Sequence, residues 1–205
     1  GQAERAELEL RAGWSRFEGG EFEVSLAHFD AAARTAERTD APTVRAEALF
    51  MGGRAAEELG RSEAALAHFD ALLEAQGRAD FESEALLRRG RSTPGAAGDE
   101  YLAAAIRGGG AFAERARFER AERRSERGEH AAAMQDYARL VEADPLAFDG
   151  ACAYGLAWSE LALGDAPAAA QRLSGLAEAD AGLADEVARS LEKAGVLSTT
   201  FADVT

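Results

Sequence analysis

The chain has few of the residues on which several classes of protein depend. Its single cysteine, Cys152, cannot form an internal disulfide or supply a cysteine-rich metal site. No apolar run approaches the roughly 20 residues that are needed to cross a bilayer. Ile and Val are scarce and Asn is absent, so few residues that favour strands remain. A disulfide scaffold is therefore excluded, and a fold rich in strands is not expected.

Basic residues are outnumbered. The chain has 23 Lys and Arg against 37 Asp and Glu, which gives a formal net charge of −14. Such a protein repels nucleic-acid phosphates and anionic lipid surfaces, so we expect no nucleic-acid partner and no insertion of this segment into a membrane. The Arg-rich run over residues 114–129 carries six arginines and five glutamates, and we interpret it as a solvated, ion-paired helix surface.

Residues that favour helices are abundant. About a quarter of the chain is alanine, and 47% of it is hydrophobic. Ala, Leu, Arg and Glu are the strongest helix formers, and the hydrophobic content is sufficient for a folded core. The composition therefore predicts an all-α protein.

The chain repeats itself. The hexapeptide LAHFDA occurs at residues 26–31 and again at residues 66–71, at the same distance behind a glycine each time. Two related segments follow further glycines. Each segment has a small residue five positions after its glycine, a large residue after nine and a small or apolar residue after twelve, which forms one apolar helical stripe. The four glycines are Gly20, Gly60, Gly128 and Gly164.

A fifth, degenerate unit is predicted in the middle of the chain. Gly60 and Gly128 lie 68 residues apart, which leaves room for two units of 34 residues. We place the turn of the degenerate unit at Pro94 and Gly95. The glycine run at residues 108–110 has no lysine or hydroxyl with which to hold a phosphate, and we interpret it as a connector.

With this spacing the chain resembles the tetratricopeptide repeat (TPR) family of helix-turn-helix repeats. The resemblance rests on a small residue in each first helix, the turn glycine, and a small and a large residue in each second helix. These are Gly13, Gly53, Ala121 and Ala157; Ser25, Ala65, Ala133 and Ala169; and Phe29, Phe69, Tyr137 and Leu173. The family's early Trp is absent, and six extra residues around 39–42 separate the first two units.

The resemblance implies a right-handed α-solenoid in a single domain over residues 6–197. Its units would span about 6–39, 46–79, 80–113, 114–147 and 150–183. An amphipathic capping helix over 184–197 would cover the last repeat, and residues 198–205 would form a loose tail.

No set of residues assembles a catalytic or metal site. The sequence has no phosphate-binding loop, no G-x-S-x-G and no H-E-x-x-H. His28 and His68 occupy one repeat position, so they are expected to point in parallel rather than to converge on a metal. We interpret Cys152 as a small buried hydrophobe. We therefore expect no enzyme, no cofactor and no metal.

The first helices of such an array line a concave groove, where the family's ligands usually bind. Two explanations of the large side chains on this stripe stay open, since the rings either form an open aromatic trough or bury themselves as ordinary core. The predicted groove residues are Leu10, Trp14, Phe17, Phe50, Met51, Arg54, Arg88, Arg91, Phe118, Glu122, Tyr154, Trp158 and Leu161.

The expected function is a scaffold that binds an extended peptide or amphipathic helix of a partner protein. The family's carboxylate clamp of Lys and Asn is not carried over, because Asn is absent and Lys193 is the only lysine. Arg54, Arg88 and Arg91 would hold an acidic group instead, unless they form pairs within their own helices.

Two other classes remain open. One is a self-assembling structural protein, in which copies of the chain form a homo-oligomer through their terminal repeats. The other is a regulatory or sensory domain of a longer, membrane-anchored bacterial protein. The chain begins at Gly1 rather than Met, so we expect that an upstream segment has been removed. The compartment, bacterial cytoplasm or periplasm, stays open.

Overall fold

A computed structural model describes residues 1–75 and 78–179 of the chain. These residues form ten α-helices and contain no strand. The all-α, helical-repeat class predicted from the sequence is confirmed. The helices are α1 (Gln2–Glu18), α2 (Phe22–Arg38), α3 (Pro42–Glu58), α4 (Ser62–Glu74), α5 (Ala79–Ser92), α6 (Gly95–Gly108), α7 (Ala113–Glu126), α8 (His130–Ala143), α9 (Ala151–Ala162) and α10 (Ala166–Ala179).

The chain divides into two compact units. The first unit is Gly1–Ala116, and the second begins at Arg117. The single domain over residues 6–197 and its repeat boundaries stay predictions. The predicted capping helix over 184–197 and the tail over 198–205 lie outside the described residues.

The turn glycines end four first helices in the same way. Gly20 has a φ of +74°, a left-handed conformation that glycine adopts without steric cost. Its N–H donates to the Phe17 carbonyl, and the N–H of Glu21 donates to the Arg16 carbonyl. This is the Schellman arrangement, which satisfies carbonyl groups at a helix end. It recurs at Gly60, Gly128 and Gly164, so the glycine pattern in the sequence corresponds to one repeated turn.

The helices of each pair are held together by a small residue against a large one. A Cβ atom added to Gly13 would lie 2.6 Å from the Phe29 ring, and one added to Gly53 would lie 2.5 Å from the Phe69 ring. Ala121 and Ala157 are also fully buried, and Tyr137 and Leu173 are each only 1% exposed. The small and large positions predicted from the sequence are therefore the core contacts of the repeat.

Replacing Gly53 by alanine is expected to lower the free energy of unfolding by about 1–3 kcal/mol, because the added methyl group would overlap the buried Phe69 ring. Gly175 in α10 is the matched control, since nothing lies within 4 Å of a Cβ built there. Gly175→Ala should raise stability by up to about 1 kcal/mol through helix propensity. Urea unfolding followed by circular dichroism measures both, and a neutral or stabilising Gly53→Ala would contradict this packing.

The degenerate middle pair keeps the same packing contact with a shorter turn. A Cβ on Gly90 would lie 2.7 Å from Leu102, so these residues take the roles of the small and the large residue. They are twelve positions apart, whereas Gly53 and Phe69 are sixteen apart. The predicted turn at Pro94 and Gly95 is confirmed, since α5 ends at Ser92 and α6 begins at Gly95.

The six extra residues expected between the first two pairs do not form a long loop. Helices α2 and α3 each have 17 residues, so only residues 39–41 connect them. Helices α4 to α10 have 12 to 14 residues. The insertion is therefore absorbed largely as added helix.

In the first unit the first helices of successive pairs lie close together. Backbone contacts join α1 to α3 and α3 to α5, whereas within residues 1–75 and 78–116 no such contacts join α2 to α4 or α4 to α6. Within this unit α1, α3 and α5 therefore adjoin one another along one side. Partner binding was predicted for that side.

Candidate partner-binding surface

The structure places the predicted groove residues in three environments. Three are buried, one is exposed, and the rest are partly buried. The buried residues are Leu10, Phe50 and Met51, and the exposed residue is Arg91. The partly buried residues are Trp14, Phe17, Arg54, Arg88, Phe118, Glu122, Tyr154, Trp158 and Leu161.

The partly buried residues of the first unit, with Arg91, lie on α1, α3 and α5 and define what we call the first-helix face. Trp14 donates its indole N–H to Oε1 of Glu47 on α3 at 2.8 Å. The guanidinium of Arg54, also on α3, lies 5.2 Å above the centre of the Phe17 ring, a cation–π arrangement. The Trp14 and Phe17 rings meet edge to face at 6.5 Å. Both rings are therefore held in place before any partner binds.

The two arginines further along this face differ in their partners. Arg88 on α5 is paired with Glu84 of its own helix at 2.6 Å and with Glu57 of α3. Arg88 is therefore already occupied by carboxylates, one of them within its own helix. Arg54 has no carboxylate partner within the described residues. There its guanidinium contacts the Phe17 ring, more distantly the Phe50 ring, and the sulfur of Met51 at 4.0 Å. The guanidinium edge of Arg54 can still receive an acidic group.

Phe50 and Met51 lie inside the core rather than on the groove surface. Phe50 is 4% exposed and Met51 is fully buried. The Phe50 ring is stacked on the Phe81 ring of α5 at 5.0 Å and tilted against Phe69 at 6.4 Å. Leu10 is 8% exposed. These three side chains are therefore ordinary core, not part of an open aromatic trough.

The predicted residues of the second unit make contacts of their own. Phe118 is stacked on Phe148 at 4.5 Å, and Glu122 accepts a hydrogen bond from the Tyr137 hydroxyl. Burial, the bond to Glu122 and the charge of Glu122 all raise the pKa of Tyr137. Tyr154 and Trp158 meet edge to face at 6.1 Å. Leu161 packs against the core of α9 and α10.

One repeat position with polar function was missed in the sequence. It is the residue directly before the large packing residue of each second helix, and in all five pairs its side chain contacts a charged partner on another helix. The contacts are His28 with Glu9, His68 with Asp30, Tyr101 with Arg89, Asp136 with Arg120, and Arg172 with Glu160. The sequence does place a polar or aromatic residue at this fixed position, but the residue type varies from pair to pair, which makes the pattern hard to recognise.

Three arginines of the Arg-rich run form an interhelical cluster that the sequence did not predict, whereas Arg127 pairs with Glu129 at the surface as expected. Asp136 of α8 is only 3% exposed. Arg120 binds both of its oxygens, at 2.6 and 2.8 Å, and Arg124 binds at 2.9 Å. Arg117 lies 3.5 Å away. A buried carboxylate requires such partners, and the sequence pattern could not show it because Asp136 lies outside the run.

His68 bridges α2 and α4. Its Nε2 lies 2.9 Å from Oδ1 of Asp30 and its Nδ1 lies 2.8 Å from the Ala64 carbonyl. Both partners are acceptors, so the two contacts are hydrogen bonds together only when the ring is the charged imidazolium. Burial acts to lower the pKa of His68, but the bonds to Asp30 and Ala64 and the charge of Asp30 raise it above 6.5 overall. Gly52 leaves the space for the ring, since a Cβ there would lie 2.6 Å from it.

The Asp30→Asn variant is expected to lower the pKa of His68. The carboxylate that raises this pKa would be gone, and only the Ala64 carbonyl would oppose the lowering effect of burial. In the wild type the stabilisation by this contact is complete below pH 6.5 and is lost as the pH rises through the higher folded-state pKa. An NMR titration of the imidazole tests this. Asp70→Asn, at the equivalent position where Asp70 pairs with Arg89, is the control and should leave the His68 pKa unchanged. Equal pKa values in wild type and Asp30→Asn would contradict the assignment.

Other candidate groups remain structural. Cys152 is fully buried and unpaired, as predicted, and burial together with the charges of Glu122 and Asp144 raises its pKa to about 12. Within residues 1–75 and 78–179, no group of three or more His, Cys, Asp or Glu side chains has the geometry of a metal site. In the same ranges no helix has the length and hydropathy that crossing a bilayer requires.

Comparison with known proteins gives likenesses to solved structures alone. No family model matches the chain, and no curated protein matches it. The chain is similar to the crystal structure of a thermophilic TPR protein of Thermus thermophilus. The two share 21% sequence identity, the match covers 91% of this chain and 98% of that chain, and the TM-score is 0.37. The TPR family stays a resemblance, while the helical-repeat class rests on the helix packing described above.

Proposed function

We propose that the chain is a protein-interaction module whose first-helix face binds an extended peptide or amphipathic helix of a partner protein. The observation that carries the proposal is the Trp14 ring, which is partly exposed yet fixed by Glu47 and Phe17. A side chain that is ordered before binding loses little entropy when a partner covers it. Aromatic rings with this combination of area and rigidity are common anchors of binding energy. The proposal includes no catalytic step.

The charge of Arg54, next to Phe17, indicates which residues the partner segment carries. Arg54 stacks on Phe17 and keeps its guanidinium edge unpaired with carboxylate among the described residues, whereas Arg88 is occupied by Glu57 and Glu84. A partner segment with an apolar residue over Trp14 and a carboxylate at Arg54 therefore matches this face. Covering the Trp14 ring contributes at most about 1.5–3 kcal/mol, because the ring is already partly buried. An affinity of about micromolar, or about −8 kcal/mol net, therefore requires further contacts along this face.

Selection from a random peptide library on the full chain tests the proposal. The selected peptides should pair an apolar residue with an acidic one, and their Kd should rise about tenfold or more in Trp14→Ala. Leu8→Ala is the matched control, because Leu8 is a 64% exposed apolar residue on the same helix. Peptides that bind wild type, Trp14→Ala and Leu8→Ala equally would contradict the proposal, as would a library that yields none. Circular dichroism confirms that both variants are folded.

A further inference from the structure

A second surface of the first unit has the chemistry of a binding site. A cleft of about 470 Å³ opens between α4 and α6 over α5. Its volume lies within the range of pockets that hold small ligands or single side chains. We call it the α4–α6 cleft. Its apolar lining comes from Leu73, Leu86, Ala97 and Ala104, and its acidic groups are Glu82 and Glu100.

The cleft lies where two parts of the core meet. Leu73 packs on the core of α1 to α5, and Leu86 packs on the separate cluster of Leu87, Leu102 and Ala105. Both leucines remain partly exposed at this junction. The helix backbones of α4 and α6 make no close contact within the described residues, and Leu73 and Leu86 stay partly exposed between them among those residues.

The repeat position identified above also differs between the second and third pairs. In the second pair this position holds His68, which reaches Asp30 of the preceding second helix directly. In the third pair it holds Tyr101, and the corresponding acid, Asp70, is bound at 2.6 Å by Arg89 instead. Arg89 also lies 4.9 Å from the centre of the Tyr101 ring. Tyr101, which lines the cleft, is therefore held by Arg89 and does not bridge α4 and α6 itself.

The charges of the cleft indicate the sign of its occupant. Its lining includes two carboxylates and no basic side chain. Glu82 is bonded to Arg78 at 3.2 Å, while Glu100 is exposed and has no ion-pair partner among the described residues. An apolar floor beside an unpaired carboxylate is complementary to an apolar side chain that is followed by a cationic one.

We propose that the α4–α6 cleft docks a basic amphipathic segment of a partner protein, with one leucine-sized side chain between Leu73 and Leu86 and an adjacent Lys or Arg at Glu100. This surface lies on α4, α5 and α6 and shares no residue with the first-helix face, so the two inferences are independent. The chain then offers two surfaces with opposite charge preference, an acid-accepting one at Arg54 and a base-accepting one at Glu100.

The probe for the test is a short capped peptide of Leu and Lys at helical spacing, titrated into the full chain by calorimetry. Two peptides serve as comparisons, one with Ser for Leu and one with Glu for Lys. We expect the Leu–Lys peptide to bind about tenfold or more tightly than either, because each comparison removes one of the two complementary features. Trp14→Ala should bind the Leu–Lys peptide as wild type does, which separates this site from the first-helix face.

Two variants of the cleft and one matched control complete the test. Glu100→Lys reverses the charge at the cleft, Ala104→Trp fills it, and each should weaken the Leu–Lys peptide about tenfold or more. Glu63→Lys makes the same charge change on an exposed position of α4 that does not line the cleft, and it should leave the affinity within about twofold. Equal weakening by Glu63→Lys and Glu100→Lys would show general attraction to an acidic chain and overturn the proposal. So would unchanged binding in Glu100→Lys and Ala104→Trp, or no binding by the wild type.

Discussion

Phe50→Ala should lower the free energy of unfolding of the unit Gly1–Ala116 by about 3–5 kcal/mol. Phe50 is 4% exposed, is stacked on Phe81 and contacts Phe69, so its removal leaves a cavity that three helices surround. Domain stabilities are about 5–15 kcal/mol in total, which makes this loss a large fraction. Urea unfolding followed by circular dichroism measures it.

The control for Phe50 is Leu8→Ala, in which an exposed apolar side chain of the same unit is removed. We expect Leu8→Ala to change the free energy of unfolding by no more than about 0.5 kcal/mol. If Phe50→Ala were as stable as Leu8→Ala and lost only peptide binding, the ring would belong to an open groove, and the core position described here would be wrong.

Asp136→Ala is expected to lower stability by about 3 kcal/mol. This is the lower end of the cost of breaking a buried ion pair, because the side chains of Arg117, Arg120 and Arg124 keep 14–28% of their surface in solvent. Without Asp136, two of these guanidiniums would lose an acceptor closer than 3 Å, and like charges would face one another. Thermal or urea unfolding of the full chain measures the loss.

Glu142→Ala is the matched control for Asp136→Ala. Glu142 lies on the same helix and also pairs with an arginine, Arg139, but both side chains are at least 70% exposed. Exposed pairs contribute between about 0 and 1 kcal/mol. Similar losses in the two variants would mean that the cluster around Asp136 behaves as an ordinary surface pair. A second check is added salt, which should affect the Glu142 pair more than the buried one.

The repeat itself could be predicted from particular residues. Gly20 and Gly60 end their first helices with the left-handed turn that only glycine adopts easily, and Gly13 and Gly53 leave the space for Phe29 and Phe69. Both features are local, since each depends on residues of a single helix pair. Local constraints of this kind are visible in the sequence as fixed spacing.

The exposure of the predicted groove residues could not be predicted from the spacing within one helix pair. Phe50 lies three positions before the small residue Gly53, and Trp14 lies one position after its equivalent, Gly13. These positions are one helical turn apart and share a stripe. Their exposure differs because of a residue from another helix pair: Phe81 of α5 covers Phe50. By contrast, none of the residues directly after the small position is buried; these are Trp14, Arg54, Arg91, Glu122 and Trp158.

The α4–α6 cleft was also beyond the sequence pattern. It depends on Tyr101 and Arg89, which occupy ordinary positions of a degenerate pair, and on the distance between two helices that make no close backbone contact within the described residues. The sequence shows that the middle pair departs from the repeat. Only the side-chain positions show that an apolar floor lies beside Glu100.

Fluorescence of Trp14 tests the central claim of partner binding most directly. Trp14 and Trp158 are the only tryptophans, so Trp158→Phe leaves Trp14 as a single reporter on the first-helix face. Titration of a library-selected peptide should change the Trp14 emission in a saturable way, with a midpoint of about micromolar that matches the Kd from calorimetry. A peptide that binds by calorimetry while the Trp14 emission stays unchanged would contradict the claim that this face is the binding surface.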